Sequence, residues 1–311
     1  MPMSMANMCL LAKTQTALGN EAVPTPGDNA MLVRSTAPTI IKGKVVERNL
    51  LRGARGNYGG IFAGAHRSIE FEVEFAGSGA AGTPPKYGPL LMGCDMQETI
   101  VAGTSVTYAP THNPALPLTL YGYLDGTLFK MTDAKGTWQM TTNAEDIPVF
   151  KFNYLGKYHP LEAAAFPVGL DFSDFMDPQT VGFDNTPTFN IHGVPGVMQQ
   201  FGLDMANELV WRDLVGFQGV RMPDRKPKCT VKMELDGPNV KNWGEVARQS
   251  TPGAVQLVHG VGAGRVITLN LPRTTLDSEP TIDDLDKVAM FNGSFSVQPV
   301  NGNDEVELVF S

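Results

Sequence analysis

Two stretches of the chain alternate strictly between apolar and polar residues. In Ser68-Ile69-Glu70-Phe71-Glu72-Val73-Glu74-Phe75, four apolar side chains point one way and three glutamates the other. Cys229-Thr230-Val231-Lys232-Met233-Glu234-Leu235 repeats the pattern about 160 residues later. A period of two predicts strands buried on one face. Each stretch is preceded by a second shared signature. The first reads Val45-Val46-Glu47-Arg48-Asn49-Leu50-Leu51, and the second Leu209-Val210-Trp211-Arg212-Asp213-Leu214-Val215. Apolar pairs flank Arg and then Asn or Asp in both. Each alternating stretch is also followed by a short helical candidate and more strands. The same order of parts occurring twice predicts two tandem β units. Two unrelated β domains are the competing reading.

Taken in order, residues 1–29 are weakly patterned and predict an N-terminal arm, with a marginal helix over Met5–Leu18. The first unit spans 30–158. It holds strands at Met31–Ser35 and Lys44–Leu51, a flexible glycine-rich loop over 52–66, and the strand 68–75. A short helix is expected over Lys86–Cys94, since proline is tolerated in a first turn. The region Tyr108–Pro117 reads as a turn. Asp125-Gly126 is a hairpin signal between Leu118–Leu124 and Thr127–Met131. A turn at Asp133-Ala134-Lys135 leads to Gly136–Thr142, and Val149–Tyr154 closes the unit. Residues 159–187 form a proline-rich linker that Phe166, Phe172, Phe175 and Phe183 hold down. The second unit spans 188–311. It opens with Thr188–His192 and carries a short helix capped by Asn239, with Val240, Trp243 and Val246 on one side. Strands Val255–His259 and Arg265–Leu271 flank glycines at 260, 262 and 264. A polar loop with Asp283, Asp284 and Asp286 precedes Val288–Val297, and Glu305–Phe310 ends the chain.

A chain of 311 residues with 33 glycines and 23 prolines fits two β domains of many short strands. Charged residues are sparse at 18%, which suggests a surface partly covered by other subunits. A net charge of −8 argues against a protein that grips nucleic-acid phosphates. Cys9, Cys94 and Cys229 show neither zinc spacing nor a disulfide framework, so free thiols and a reducing compartment are expected. The apolar run Met8–Ala12 is too short for a signal peptide, and no run reaches transmembrane length. The expectation is a protein made in the cytoplasm and used in the soluble phase.

Catalytic groupings do not stand out. His66, His112, His159, His192 and His259 are scattered singly, without metal-binding spacing. Gly260-Val261-Gly262-Ala263-Gly264 lacks the helix of a dinucleotide fingerprint and reads as a hairpin turn. The run Asp283-Asp284-Leu285-Asp286 lacks the glycine and terminal glutamate of a calcium loop. No enzyme activity and no cofactor are expected. Glu70, Glu72 and Glu74 form an ordinary wet face or an acidic stripe on a channel wall.

Four further stretches resemble the major tail tube proteins of long-tailed bacteriophages and prophages. These are Leu11–Gly19, Gly82–Leu91, Ile147–Phe152 and Thr186–Gly193, taken in their order and spacing. The resemblance runs from about residue 10 to the end. It implies β-sandwich or partial-barrel units, each with one short helix, whose sheets join between subunits into a ring. Rings stack into a virion tail tube that conducts DNA without binding it. For a duplicated chain it implies a trimer ring with pseudo-six-fold symmetry, the alternative being a hexamer. Tape-measure, tail terminator and distal tail proteins are the implied partners, with no membrane. Carboxylates facing the duplex would repel phosphate. Glu70, Glu72 and Glu74 are the lumen-facing candidates, with Glu234, Glu305 and Glu307 behind them. The arm and the 52–66 loop are candidates for contacts between rings. A carbohydrate-binding or adhesion β-sandwich of the tail is the main rival, and a hydrolase on a β scaffold the next.

Overall fold

The computed structural model describes residues 3–48, 50–51, 53, 56–111 and 116–311. Expectations that fall on Asn49, on Arg52, Ala54 and Arg55 of the glycine-rich loop, and on His112 lie outside the described residues. The fold is mainly β, antiparallel and of the sandwich class, with no closed barrel among the described residues.

Strands β1 (Met8–Thr14) and β2 (Ala30–Met31) flank the one-turn helix α1 (Pro26–Asn29). Next, β3 (Thr36–Pro38) and β4 (Lys42–Val46) run end to end along one side of β5 (Ile61–Glu74). The helix α2 (Gly88–Met92) precedes β6 (Met96–Val101), β7 (Ser105–Pro110), β8 (Leu118–Leu124), β9 (Thr127–Asn143), β10 (Val149–Tyr158) and β11 (Glu162–Ala163). Beyond them come β12 (Thr188–Ile191), β13 (Val194–Pro195), β14 (Met198–Asp204) and a hairpin of β15 (Val210–Leu214) with β16 (Phe217–Arg221). Then follow β17 (Lys228–Glu234), the helix α3 (Trp243–Gln249), β18 (Gly253–His259) and β19 (Ile267–Leu276). The last strands are β20 (Thr281–Leu285), β21 (Val288–Val297) and β22 (Glu307–Phe310).

One layer runs β3/β4–β5–β10–β9–β14–β17–β21–β20. The other runs β6–β7–β22–β19–β18–β12. Two long strands tie the layers together. The start of β9 pairs with β8, which carries β1, and its end pairs with β14. The start of β19 pairs with β22, and its end with β21. Phe71, Phe150 and Phe152 of the first layer share one core with Tyr108, Leu257, Leu308 and Phe310 of the second. Tyr87, just before α2, bridges them by ring contacts to Phe150 and Phe310. The alternating patterns at Ile69–Phe75 and Cys229–Met233 supply the inward faces of β5 and β17.

The pairing order recurs. The run β3–β5–β10–β9 is matched by β14–β17–β21–β20, and α2 follows β5 as α3 follows β17. Val45 and Val46 of the first Arg-containing segment end β4, which pairs with the start of β5, whereas the second segment runs along β15, which pairs with β16 in a separate two-stranded sheet. The halves join twice, through β9–β14 and through β7–β22.

Several local expectations are corrected. Residues 8–14 form neither a helix nor a free arm. Leu10, Leu11 and Ala12 are buried, and β1 pairs over seven residues with β8. An apolar run of this length is as readable as a strand as it is as a helical face. The arm therefore docks on its own chain, and removing residues 1–20 would strip out a core strand. The glycine-rich loop is strand from Ile61 onward. The expected turn at Asp133-Ala134-Lys135 is a bulge within the continuous β9. There Asp133 adopts φ 49° and its carboxylate holds Lys157 at 2.6 Å. The helix cap is Asn242, whose side chain accepts from Glu245 N at 3.1 Å, not Asn239. The Asp283–Asp286 loop is strand β20 and its turn. In the 159–187 segment Phe166, Phe172 and Phe175 are half-buried, whereas Phe183 is exposed.

Candidate functional site

The outward face of the first layer is polar from one half to the other. One row across it reads Glu72, Lys151, Gln139, Asp204, Lys228 and Ser296. The row beside it reads Glu74, Val149, Thr141, Gly202, Thr230 and Ser294. Strand alternation explains the face: the residues between these rows point into the core. β5 contributes the three early glutamates to it, with Glu70 exposed and Glu72 and Glu74 half-buried. Glu70 lies 3.6 Å from Lys151, an exposed pair of little energetic weight. Among the described residues, no ion pair engages Glu72 or Glu74. Asp204 accepts from Gln139 at 2.8 Å, and Lys228 and Lys232 pair with Asp277 (2.9 Å) and Asp283 (3.3 Å). The face is thus mixed in sign, and its carboxylates without an ion pair among the described residues are Glu72 and Glu74 on β5, Asp204 on β14 and Glu234 on β17.

The remaining carboxylate candidates separate. Glu234 is exposed at the end of β17, in the same layer as the early glutamates. Glu307 lies on β22 in the other layer, half-buried, and accepts from Asn270 Nδ2 at 2.8 Å. Glu305 is corrected as a lumen candidate. It is 3% exposed and ion-paired with Arg225, so it presents no carboxylate to a channel. Alternation over Glu305–Phe310 predicts an outward glutamate, but β22 begins only at Glu307, and Glu305 and Val306 are both buried; the burial that the Arg225 partner permits has no local sequence signal.

Both ends of this layer are open strand edges. At one end, β3 and β4 expose Arg34, Ile40, Lys42, Lys44 and Val45 beside their pairing to β5. At the other, β20 pairs with β21 on one side only, and Ile282 is 70% exposed. Open edges carry unpaired N–H and C=O groups that take up another strand readily. Sequence reading missed β20 because its two aspartates, with Asp286 in the turn after it, resemble a solvated loop.

Outside that face, several histidines, cysteines and Arg67 make packing and hydrogen-bond contacts. His66 of β5 stacks on Trp211 of β15, so the β15–β16 hairpin packs against β5. His192 Nε2 lies 3.0 Å from Thr274 Oγ1, between Trp243 and Phe295, and burial pushes its pKa down to about 4. His259 meets Thr186 Oγ1 at 3.0 Å, and burial lowers its pKa as well. Cys94 and Cys229 are buried among apolar residues, which drives both thiols far above their ordinary value. Arg67 is 1% exposed. It donates to the carbonyls of Ile40, Lys130 and His159, fastening the β3–β4 corner to the sheet. Among the described residues, no group of three or more His, Cys, Asp or Glu side chains is placed to hold a metal. An open cleft of about 440 Å³ contains Asn207, Arg225 and Glu305; Asn207 donates to the carbonyls of Cys94 and Gly136, Arg225 donates to Glu305 Oε1 and Asn303 Oδ1, and Glu305 Oε2 is buried without a hydrogen-bond partner.

In comparisons with known proteins, no family model and no curated protein matches the chain.

Proposed function

We propose that the protein is a structural subunit that polymerises edge to edge into rings, and that stacked rings form the tail tube of a long-tailed bacteriophage. One observation carries the reading. Two runs of four strands in the same order are already joined through β9–β14, and the joined sheet ends in open edges, β3–β4 and β20. A contact between unlike patches repeats from copy to copy, and closes into a ring when the rotation allows. By the resemblance, three duplicated chains make a pseudo-six-fold ring, in a virion, with tape-measure, terminator and distal tail proteins at its ends. DNA passes through the lumen without specific binding. The outward polar face of the first layer, with Glu70, Glu72 and Glu74, is the candidate lumen wall. The adhesion reading gains no support from the aromatic residues. Trp138 and Trp243 are buried and Trp211 is partly covered against His66, so they form no exposed sugar-stacking platform.

Electron microscopy of the purified protein tests the proposal. Rings or tubes are expected, and a monodisperse monomer at every concentration overturns it. Replacing Glu70, Glu72 and Glu74 together with lysine should leave assembly intact and slow DNA ejection. Ejection at the normal rate removes these residues from the lumen wall.

A further inference from the structure

The two open edges of the first layer carry opposite charge. Around β20, Asp277 and Asp283 are paired with Lys228 and Lys232 of β17, which leaves Glu279, Asp284 and Asp286 against Lys287 between residues 277 and 287. Between residues 34 and 48, around β3 and β4, stand Arg34, Lys42, Lys44 and Arg48 against Glu47 alone. Like edges therefore repel and unlike edges attract, which favours a head-to-tail contact over a two-fold one.

The joint inside the chain supplies a register for that contact. Thr36 stands opposite Phe71 on β5, as Phe201 stands opposite Val231 on β17. On the far side, Phe71 faces Phe152 and Val231 faces Gly293. Counting three residues back along β10 and β21 reaches Val149, opposite Thr141, and Met290, opposite Asp283. Asp284 thus occupies the place of Thr142, and Thr36 the place of Phe201. Within the chain, Thr142 and Phe201 are direct partners.

Resting on the ring-forming reading above, we propose that β20 of one copy pairs antiparallel with β3–β4 of a second copy, with Asp284 opposite Thr36. This register sets Ile282 against Pro38, both apolar. It brings Asp286 to Arg34 at one end and Glu279 beside Lys42 at the other. The internal β9–β14 joint has the corresponding terminal bond, from Ala144 N to Gln199 O, at the places of Asp286 and Arg34. The internal joint lacks the ionic complement, since it is covalently tethered. The contact between copies uses charge to choose its partner and orientation.

Paired cysteines test the register. Thr36→Cys with Asp284→Cys, oxidised after assembly, should give a ladder of covalent multimers on a denaturing gel. Lys44→Cys with Asp284→Cys, out of register, should not. The native cysteines are buried and stay out of the reaction. Charge reversal is the second arm. Asp284→Lys with Asp286→Lys, or Arg34→Glu with Lys42→Glu, should each reduce the assembled fraction at least about tenfold while the monomer keeps its circular dichroism. All four changes in one chain should restore assembly. If the parent chain forms no assemblies, the ring-forming reading falls and takes this one with it. If it assembles but shows no ladder and ignores charge reversal, the edge pairing alone is overturned.

Discussion

Phe201→Ala places a defect at the seam between the halves. Phe201 is fully buried on β14, sits opposite Thr142 of β9, and stacks edge-on with Phe189 at 6.1 Å. Its carbonyl also accepts from the Thr142 hydroxyl at 3.1 Å. Truncating a phenylalanine in such a site costs about 3–5 kcal/mol from lost transfer energy and the cavity left behind. For a chain of this size that is roughly a 5–8 °C fall in Tm. If the seam makes the halves one cooperative unit, the loss is shared. Native-state hydrogen exchange, at a concentration where the chain is monomeric, resolves this. Amides of β10 in the first half and β21 in the second should both lose protection, on the order of 10²–10³-fold. Loss confined to β21, with β10 unchanged, refutes the coupling and reduces the seam to a contact between independent domains.

Two other perturbations read other parts of the fold. The native pKa of His192, about 4, lies below the ordinary 6.5, so between those values the unfolded chain binds more protons and stability falls as the pH falls. The full effect is about 3 kcal/mol, and equilibrium unfolding of His192→Asn against the parent from pH 7 to pH 4 should show that slope missing from the variant. Gly264 adopts φ +74° and packs on the backbone of Gly79 and Ala80, so Gly264→Ala should cost about 1–3 kcal/mol in a denaturant melt, whereas Gly262→Ala meets no such backbone wall.

Alternation was the reliable guide to the sheets. It located β5 and β17 and their inward faces, because a period of two has no competing explanation at that length. Where the pattern was short or polar, tertiary context decided. β1 reads as well as a helical face as a strand, and only its place between β2 and β8 fixes it. Asp133 looked like a turn residue, yet its left-handed backbone serves a bulge that lets β9 pass from β8 to β14. β20 was hidden by Asp283 and Asp284, whose charges suit an open edge better than a strand interior. For the candidate site, the glutamates of β5 were legible from alternation. The burial of Glu305 was not, since its partner Arg225 lies 80 residues away. The open edges, on which the proposed function rests, have no signature in a linear pattern. They follow from which strands pair.

The most direct measurement is the mass and symmetry of the assembled particle, by electron microscopy with mass photometry. Rings of about 100 kDa are expected, three chains of 33.5 kDa with six similar sectors around a central channel, stacking into tubes as concentration rises. A closed dimer joined by like edges, or a 33.5 kDa monomer that persists at millimolar concentration, contradicts the ring-forming reading.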